Sequence, residues 1–528
     1  MAARSGSVER PGDDEITERT PFIRRASPTT GSHTIKPGDR ERASSIASVG
    51  SAAPKARGSG GIVAILCIVI FVASAAGGFQ NMSMTRIFED ILCRQYYDQL
   101  RSNDEPISED MCKVDAIQSK LAYLFAIQLA LNAGVSVLVA LPWGIAADKI
   151  GRRPVFALGL GGMSTALLFV MVVGWFPQTF PPQLIWLSPL FYLIGGADPV
   201  VSATITSMAI DVVPESQRSA VFMRMHGSSM VGNLISPALA SIMMSSTGPW
   251  PPILLAFLLT SLPAFMIFLV PESLKHKKTD DNEPSSSTLK ARVTEGLGEL
   301  KKSAKIFSSS SMMIVLLITM LQLSLILCTH QFLAQFASKR YHIPIAKTGY
   351  IQSIYGVVFI TVAFFIMPFV SSQILKPSTP AFLRFDDDRR RDLFLARASY
   401  IASMVGTFIL GVSGSIPGFV FGLVILTFGV SSEGFLKSIA TLYVSAEQRS
   451  RLYTMLSLSA IASNLWVSPA LAALFSLGMR LGGAWIGLPY FGISGICVVM
   501  FCMALFLKPP PNPKVDEEAD SDRGSDSE

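Results

Sequence analysis

Twelve apolar runs, most of them about twenty residues or longer, recur between Gly61 and Leu507, and nothing else in the chain limits its fold as strongly. A run of that length crosses the roughly 30 Å hydrocarbon core of a bilayer as a helix, and in lipid only helices and closed barrels satisfy their own backbone polar groups. The runs lie near 61–84, 121–143, 154–175, 184–210, 220–244 and 252–270, then near 312–336, 350–370, 398–412, 418–444, 452–477 and 485–507. The expected fold is an all-α membrane protein of twelve transmembrane helices in two six-helix halves, 61–270 and 312–507. A polar cytoplasmic linker, 271–311, separates the halves, and cytoplasmic tails at 1–60 and 508–528 flank them.

Composition narrows the function. Half of the 528 residues are hydrophobic and only 16% are charged, which places the chain among polytopic membrane proteins. The formal charge of +6 is modest, and its Lys and Arg sit in tails and short loops, where they orient helices rather than hold nucleic acid. Basic residues in the N-terminal tail, in the loop after Gly144, in the linker and at Arg389-Arg390-Arg391 put those segments in the cytoplasm. Six cysteines are too few for a disulfide scaffold. No nucleophile and base pair, metal cluster or phosphate-cradling loop is recognisable, so neither an enzyme nor a cofactor or metal is expected. The first sixty residues are polar, rich in Ser, Arg, Pro and Gly, and read as a disordered tail with no cleavable signal peptide. Within it, Arg24-Arg25-Ala26-Ser27 has the spacing a basophilic kinase reads. The linker carries apolar residues at helical spacing over 289–306, suited to lie along a membrane surface.

Between the second and third runs stands Gly144-Ile145-Ala146-Ala147-Asp148-Lys149-Ile150-Gly151-Arg152-Arg153-Pro154, with four charges and two glycines in a stretch too short to be a domain. It reads as a tight cytoplasmic turn whose glycines serve helix approach and reversal, with Asp148 and Arg152 free to bond each other or nearby helix ends. The spacing Gly-x-x-x-Asp-Lys-x-Gly-Arg-Arg-Pro resembles the signature loop of the major facilitator superfamily of secondary transporters. That resemblance implies a conformational latch in which Gly144, Asp148, Gly151, Arg152 and Arg153 help hold the cytoplasmic side closed.

An internal repeat supports two related halves. Gln217-Arg218-Ser219, Asn233-Leu234 and Ser236-Pro237-Ala238-Leu239-Ala240 recur as Gln448-Arg449-Ser450, Asn464-Leu465 and Ser468-Pro469-Ala470-Leu471-Ala472, with one residue inserted. Parallel halves of this kind place a substrate site between them near the midplane. Arg218 and Arg449 begin equivalent helices and suit gate contacts, although a positive-inside anchor explains each as well. Intramembrane acids are costly and therefore functional candidates. Asp198, beside Pro199 in the fourth run, has no local partner and is the first candidate for proton coupling. Glu433 in the tenth run is the second, but Lys437 lies one helical turn away and offers a structural ion pair instead. Gln128, Asn132, Gln322, His330, Gln352, Lys437 and Asn464 are candidate cavity residues, with plain helix-to-helix bonding as the alternative for most.

The resemblance is less complete elsewhere. Exporting members of the superfamily carry Gly-x-x-x-Gly-Pro-x-x-Gly-Gly in helix five, whereas here Pro237 comes late and the last glycine pair is missing. The counterpart of the signature loop, Phe385 to Arg391, has charges but no glycines, and no latch role is carried over to it. Pro271-Glu272-Ser273 is similar to the exit of helix six in these transporters. The outward loop expected over 85–120 contains Cys93 and Cys112, which can pair in an oxidising compartment or remain free thiols. Such loops also resemble those of proton-coupled folate transporters and their fungal relatives. Asn81-Met82-Ser83 sits too near the membrane to carry a glycan. The expectation is a monomeric, proton-coupled efflux pump of fungal type, working on a small organic compound, a drug or secondary metabolite. Its partners are that substrate, protons and the lipid bilayer, and its place the plasma membrane, with a vacuolar membrane as the alternative. Uptake of an organic anion or nutrient, which Lys437 would favour, and a non-transporting membrane sensor are the other two readings.

Overall fold

Runs of Leu, Ile, Val, Phe and Ala with few charges become helices here, and among the described residues there is no strand. The computed structural model describes residues 59–98, 108–271, 309–330, 332–374, 388–430, 432–444 and 449–507. The tails, the kinase-type motif at Arg24–Ser27, Glu272-Ser273, the surface-helix expectation for 289–306 and Phe385 to Asp387 lie outside them.

The N-terminal half contains α1 (Ser59–Asp98), α2 (Asp115–Ile150), α3 (Arg152–Trp175), α4 (Asp198–Val212), α5 (Glu215–Thr247) and α6 (Trp250–Met266). A 3-10 segment, Pro182–Leu193, forms the first part of the fourth span ahead of α4. In the C-terminal half, α7 (Ser310–His330) and α8 (Phe332–Tyr341) make the seventh span, and α9 (Ile345–Thr361), a π turn (Val362–Ile366) and α10 (Met367–Ile374) the eighth. The rest are α11 (Asp388–Val412), α12 (Ile416–Val430) with α13 (Ser432–Thr441), α14 (Arg449–Leu481) and α15 (Leu488–Phe506). Eleven of these spans are long and apolar enough to cross a membrane by length and composition. The twelfth, α5, is long enough at 33 residues but carries Arg224, His226, Ser228, Ser229 and Asn233. Leu138, Phe265, Phe365 and Phe506, each at least 70% exposed, lie on the outside of the bundle, where a bilayer rather than water suits them.

Two expectations need correction. The first helix does not stop near Met84, and 85–120 is not a long loop: α1 continues to Asp98, Glu109–Lys113 forms a 3-10 turn, and α2 begins at Asp115. Apolarity lapses at Thr85, yet the helix persists because Arg86–Glu89 and Arg94–Asp90, each at 3.0 Å, pair at one-turn spacing. The Gly144 stretch is likewise mostly helix. It forms the last turns of α2, and the reversal is made by Gly151 alone, whose φ of 113° is open to glycine and strained for other residues. A Cβ at Gly144 would meet nothing within 4 Å, so that glycine serves no close approach.

The repeat seen in the sequence reappears as α5 and α14, both 33 residues long and both with an internal proline, Pro237 and Pro469. Each packs across the molecule: α5 lies on α9, where Ser353 donates to the Leu234 carbonyl at 3.2 Å, and α14 lies on α2, where Ser468 donates to the Ala126 carbonyl at 3.3 Å. These two seams join the halves. The apolar core of the C-terminal half, centred on Phe336, Phe419, Phe475 and Tyr490, takes in Ala122 and Ala126 of α2, and Ala334 and Ile345 pack into the N-terminal core around Phe88.

Candidate functional site

Between the seams is a cavity of about 380 Å³ lined from both halves. Helix α2 presents Ala122, Phe125, Ala126, Gln128, Leu129 and Asn132 to it at helical spacing, so one continuous face of that helix forms a wall. Opposite stand Phe332 and Gln335 of α8 and Gln352 of α9, while Gln80 and Asn81 of α1 and Asn233 of α5 complete a ring of carboxamides. Pro237 lacks the N–H that would bond the Asn233 carbonyl, which leaves a backbone acceptor on that wall. Every residue lining the cavity is uncharged. Such a surface recognises a solute by shape, aromatic contact and hydrogen bonds to neutral groups.

Of the seven residues expected at the cavity, Gln128, Asn132 and Gln352 line it. Gln322 is buried within the C-terminal half instead, its amide donating to Ser432 Oγ at 2.8 Å. Asn464 is not among the lining residues and its buried Oδ1 has no bond, and the side chain of His330 lies outside the described set. Lys437 bonds Glu433 at 2.5 Å, both side chains about two-fifths exposed, so these two acid and base candidates neutralise each other. Asn81, of the Asn81-Met82-Ser83 sequon, lines the cavity from inside α1. Gln80 and Gln335 were not singled out in the sequence, and Asn233 only as part of the repeat. Helical phase relative to Phe125 and Phe332 was the available signal, since Gln335 is one turn from Phe332.

Asp198 opens α4 immediately after Gly195 and Gly196, whose φ values of 80° and 85° break the fourth span. The break exists because Gly195 lies against the α3 backbone: a Cβ there would come within 2.1 Å of Leu158 C. It frees carbonyls, and Trp143 of α2 donates its indole N–H to one of them, Leu193, at 3.1 Å. Asp198 itself is exposed, has no hydrogen bond or ion pair among those described, and is not among the cavity-lining residues.

At the end of the bundle expected to face the cytoplasm, Arg152 donates to the Ser207 carbonyl at 2.7 Å and pairs with Asp211, tying the start of α3 to the end of α4. Arg153 stacks 5.2 Å from the ring centroid of Phe268. The side chains of Asp148, Arg218 and Arg449 lie outside the described set. Asp211 was missed in the sequence because its partner is 59 positions away. The C-terminal half has its own tie, Arg391 and Ser438 both bonding Asp392, which joins α11 to α13.

At the opposite end, expected to face outward, the halves are closed against each other. Cys93 and Cys112 are disulfide-bonded, with Cα atoms 5.2 Å apart, and this anchors the Glu109–Lys113 turn to α1. Ser119 bonds Ser476 across the α2–α14 seam at 3.0 Å, and Lys339 of α8 pairs with Asp115 at 2.6 Å. Among the described residues no group of three His, Cys, Asp or Glu is placed to hold a metal ion.

The family model described as Major Facilitator Superfamily matches residues 66–446. The chain is 28% identical over 436 residues to MFS efflux pump atnC of Emericella nidulans, covering 80% of this chain and 83% of that one. It is 25% identical over 511 residues to MFS-type transporter aprT of Aspergillus flavus, covering 92% and 98%. Among solved structures, a D-xylose-proton symporter superposes with a TM-score of 0.60 at 13% identity, covering 85% of this chain and 98% of that one, a likeness of fold alone.

Proposed function

The chain belongs to the major facilitator superfamily, and from that membership we propose that it exports a small uncharged organic compound from the cytoplasm by alternating access, driven by proton entry. The observation that carries this reading is the cavity: about 380 Å³, shared by both halves, bounded by aromatic rings and neutral amides. Efflux pumps among its relatives support the direction. Closure of the outer face, with a solute-sized space beneath it, is the arrangement expected of a carrier that loads from the cytoplasm.

An anionic substrate would need a counter-charge, and Lys437, the candidate for it, is held by Glu433 away from the cavity. Glu433 is then a structural partner. Asp198, exposed and unpaired among the described residues, is the acid that exchanges protons.

The first test compares small-molecule profiles of cells and medium with and without the gene. A compound retained inside deleted cells is the expected result, and one left behind in their medium would establish uptake instead. In proteoliposomes that compound should be concentrated only under an imposed pH gradient. Asp198→Asn should abolish concentration while downhill exchange continues; concentration surviving in the variant would remove Asp198 from the mechanism.

A further inference from the structure

We propose that the carboxamide pair Gln118–Gln335 is the releasable latch of the outer gate, and that the buried charge cluster around Glu89 is the fixed anchor on which it closes. Gln335 of α8 is 5% exposed and lines the cavity at its outer end. Its Nε2 crosses between the halves and donates to the backbone carbonyl of Gln118 at 2.8 Å and to Gln118 Oε1 at 3.3 Å. Gln118, 1% exposed, donates in turn to Glu89 Oε1 at 2.7 Å and to the Cys112 carbonyl at 3.0 Å. Glu89 is wholly buried and also accepts from Lys113 at 2.6 Å and Arg86 at 3.0 Å. Glu109 bonds both of those cations and accepts the N–H of Ile345 at 2.9 Å.

The distribution of charge explains why this assembly can open. Arg86, Glu89, Glu109 and Lys113 all belong to the N-terminal half, and two cations balance two anions there. What crosses to the C-terminal half is a neutral amide bond from Gln335, the N–H of Ile345 to Glu109, and Lys339, which donates to the Lys113 carbonyl and pairs with the half-exposed Asp115. Separating the halves therefore leaves the buried Glu89–Lys113 pair whole, exchanges the amide bonds for bonds to water, and moves one cation, Lys339, from an 11% exposed site into solvent. Among these crossing groups Gln335 is the one that also faces the substrate space. A solute that hydrogen-bonds its amide competes with Gln118, so cavity occupancy and gate release share one side chain.

The inference rests on the alternating-access reading above. Its test uses the full chain in sealed right-side-out membrane vesicles with Cys67 and Cys502 replaced by Ser and a reporter, Ser119→Cys, on the seam between the halves. The measured quantity is the labelling rate by a membrane-impermeant maleimide added from outside. Gln335→Leu, which keeps the volume and removes the donor, should raise that rate at least threefold, and so should Gln118→Leu. Gln335→Asn, which keeps polarity but falls short of Gln118, should act in the same direction and serves if the Leu variant does not fold. Combining Gln335→Leu with Gln118→Leu should add nothing to either alone, whereas combining Gln335→Leu with Lys339→Met should multiply the effects. A reporter that is labelled in the parent and no faster in any variant would overturn the latch and leave alternating access standing. Independent, multiplied effects of the Gln118 and Gln335 variants would equally overturn the pair. A reporter that stays unlabelled in the parent and in every variant would refute both readings.

Discussion

Gly349 of α9 offers a sharp test of how the outer seam is built. A Cβ at this position would stand 2.0 Å from Ser241 Oγ and 2.5 Å from the Pro237 carbonyl oxygen on α5. Ser241 can rotate away, but the carbonyl is backbone and cannot. Restoring an ordinary contact near 3.4 Å demands that α9 and α5 separate by about 0.9 Å at their point of closest approach. Overpacking of this kind costs about 1–3 kcal/mol, and because α5 and α9 belong to different halves the cost falls on the outer-closed arrangement. Gly349→Ala should therefore shift the equilibrium toward outward opening by roughly 5- to 150-fold. Spin labels on Ser246 and Lys347, at the outer ends of α5 and α9, would report the change as a growing population of long distances. Gly161→Ala is the matched control, since a Cβ there meets nothing within 4 Å. If Gly349→Ala left the distance distribution like that of Gly161→Ala, close packing at this seam would not be what holds the outer face shut.

Two further outcomes follow from the ties described above. Arg152 begins α3 and Asp211 is in the last turn of α4, so each opposes the dipole of its own helix and their mutual attraction must offset that. Arg152→Ala or Asp211→Ala should each lower the thermal midpoint in detergent, by an effect of about 1–3 kcal/mol for a charged hydrogen bond; the exchange Arg152→Asp with Asp211→Arg should recover most of it, and an exchange no better than either single change would refute the pairing. Replacing Cys93 and Cys112 together by Ser opens a link between residues 19 apart and should remove about 3 kcal/mol of constraint, read as faster hydrogen exchange over Glu109–Lys113; unchanged exchange would mean the buried charges alone order that turn.

The twelve spans were legible because apolarity over twenty residues is a property of composition, and so was the Glu433–Lys437 pair, because one helical turn is a local distance. Whatever depends on a partner distant in sequence was not. Arg86 and Glu89 looked like loop residues because, besides each other, they pair with Glu109 and Lys113, which the disulfide brings back to α1 from some twenty residues away. Gln322 and Gln335 are alike in the sequence, one turn or so from neighbouring aromatic or polar groups, yet one is sealed within the C-terminal half and the other faces the cavity. The phase of a helix decides that, and in an almost wholly apolar segment the polar residues that would reveal the phase are too few. Gly144 and Gly151 show the same limit: a motif marks both, while only the backbone turn distinguishes the one that needs to be glycine.

Helix α5 is long enough to span but is interrupted by polar and charged side chains, and it is held by a neighbour made much earlier in synthesis. Ser229 bonds Ser74 of α1 at 2.8 Å, and Gly232 lets the α1 backbone approach so closely that a Cβ would sit 2.6 Å from the Phe71 carbonyl oxygen. A segment of this polarity partitions poorly from the translocon into lipid by itself, so the first helix has to be waiting beside it when it emerges. Biogenesis thus imposes an order of assembly on the N-terminal half. A change at Ser74 or Gly232 would be felt first by the insertion machinery, as a helix left outside the membrane and a polypeptide destined for degradation.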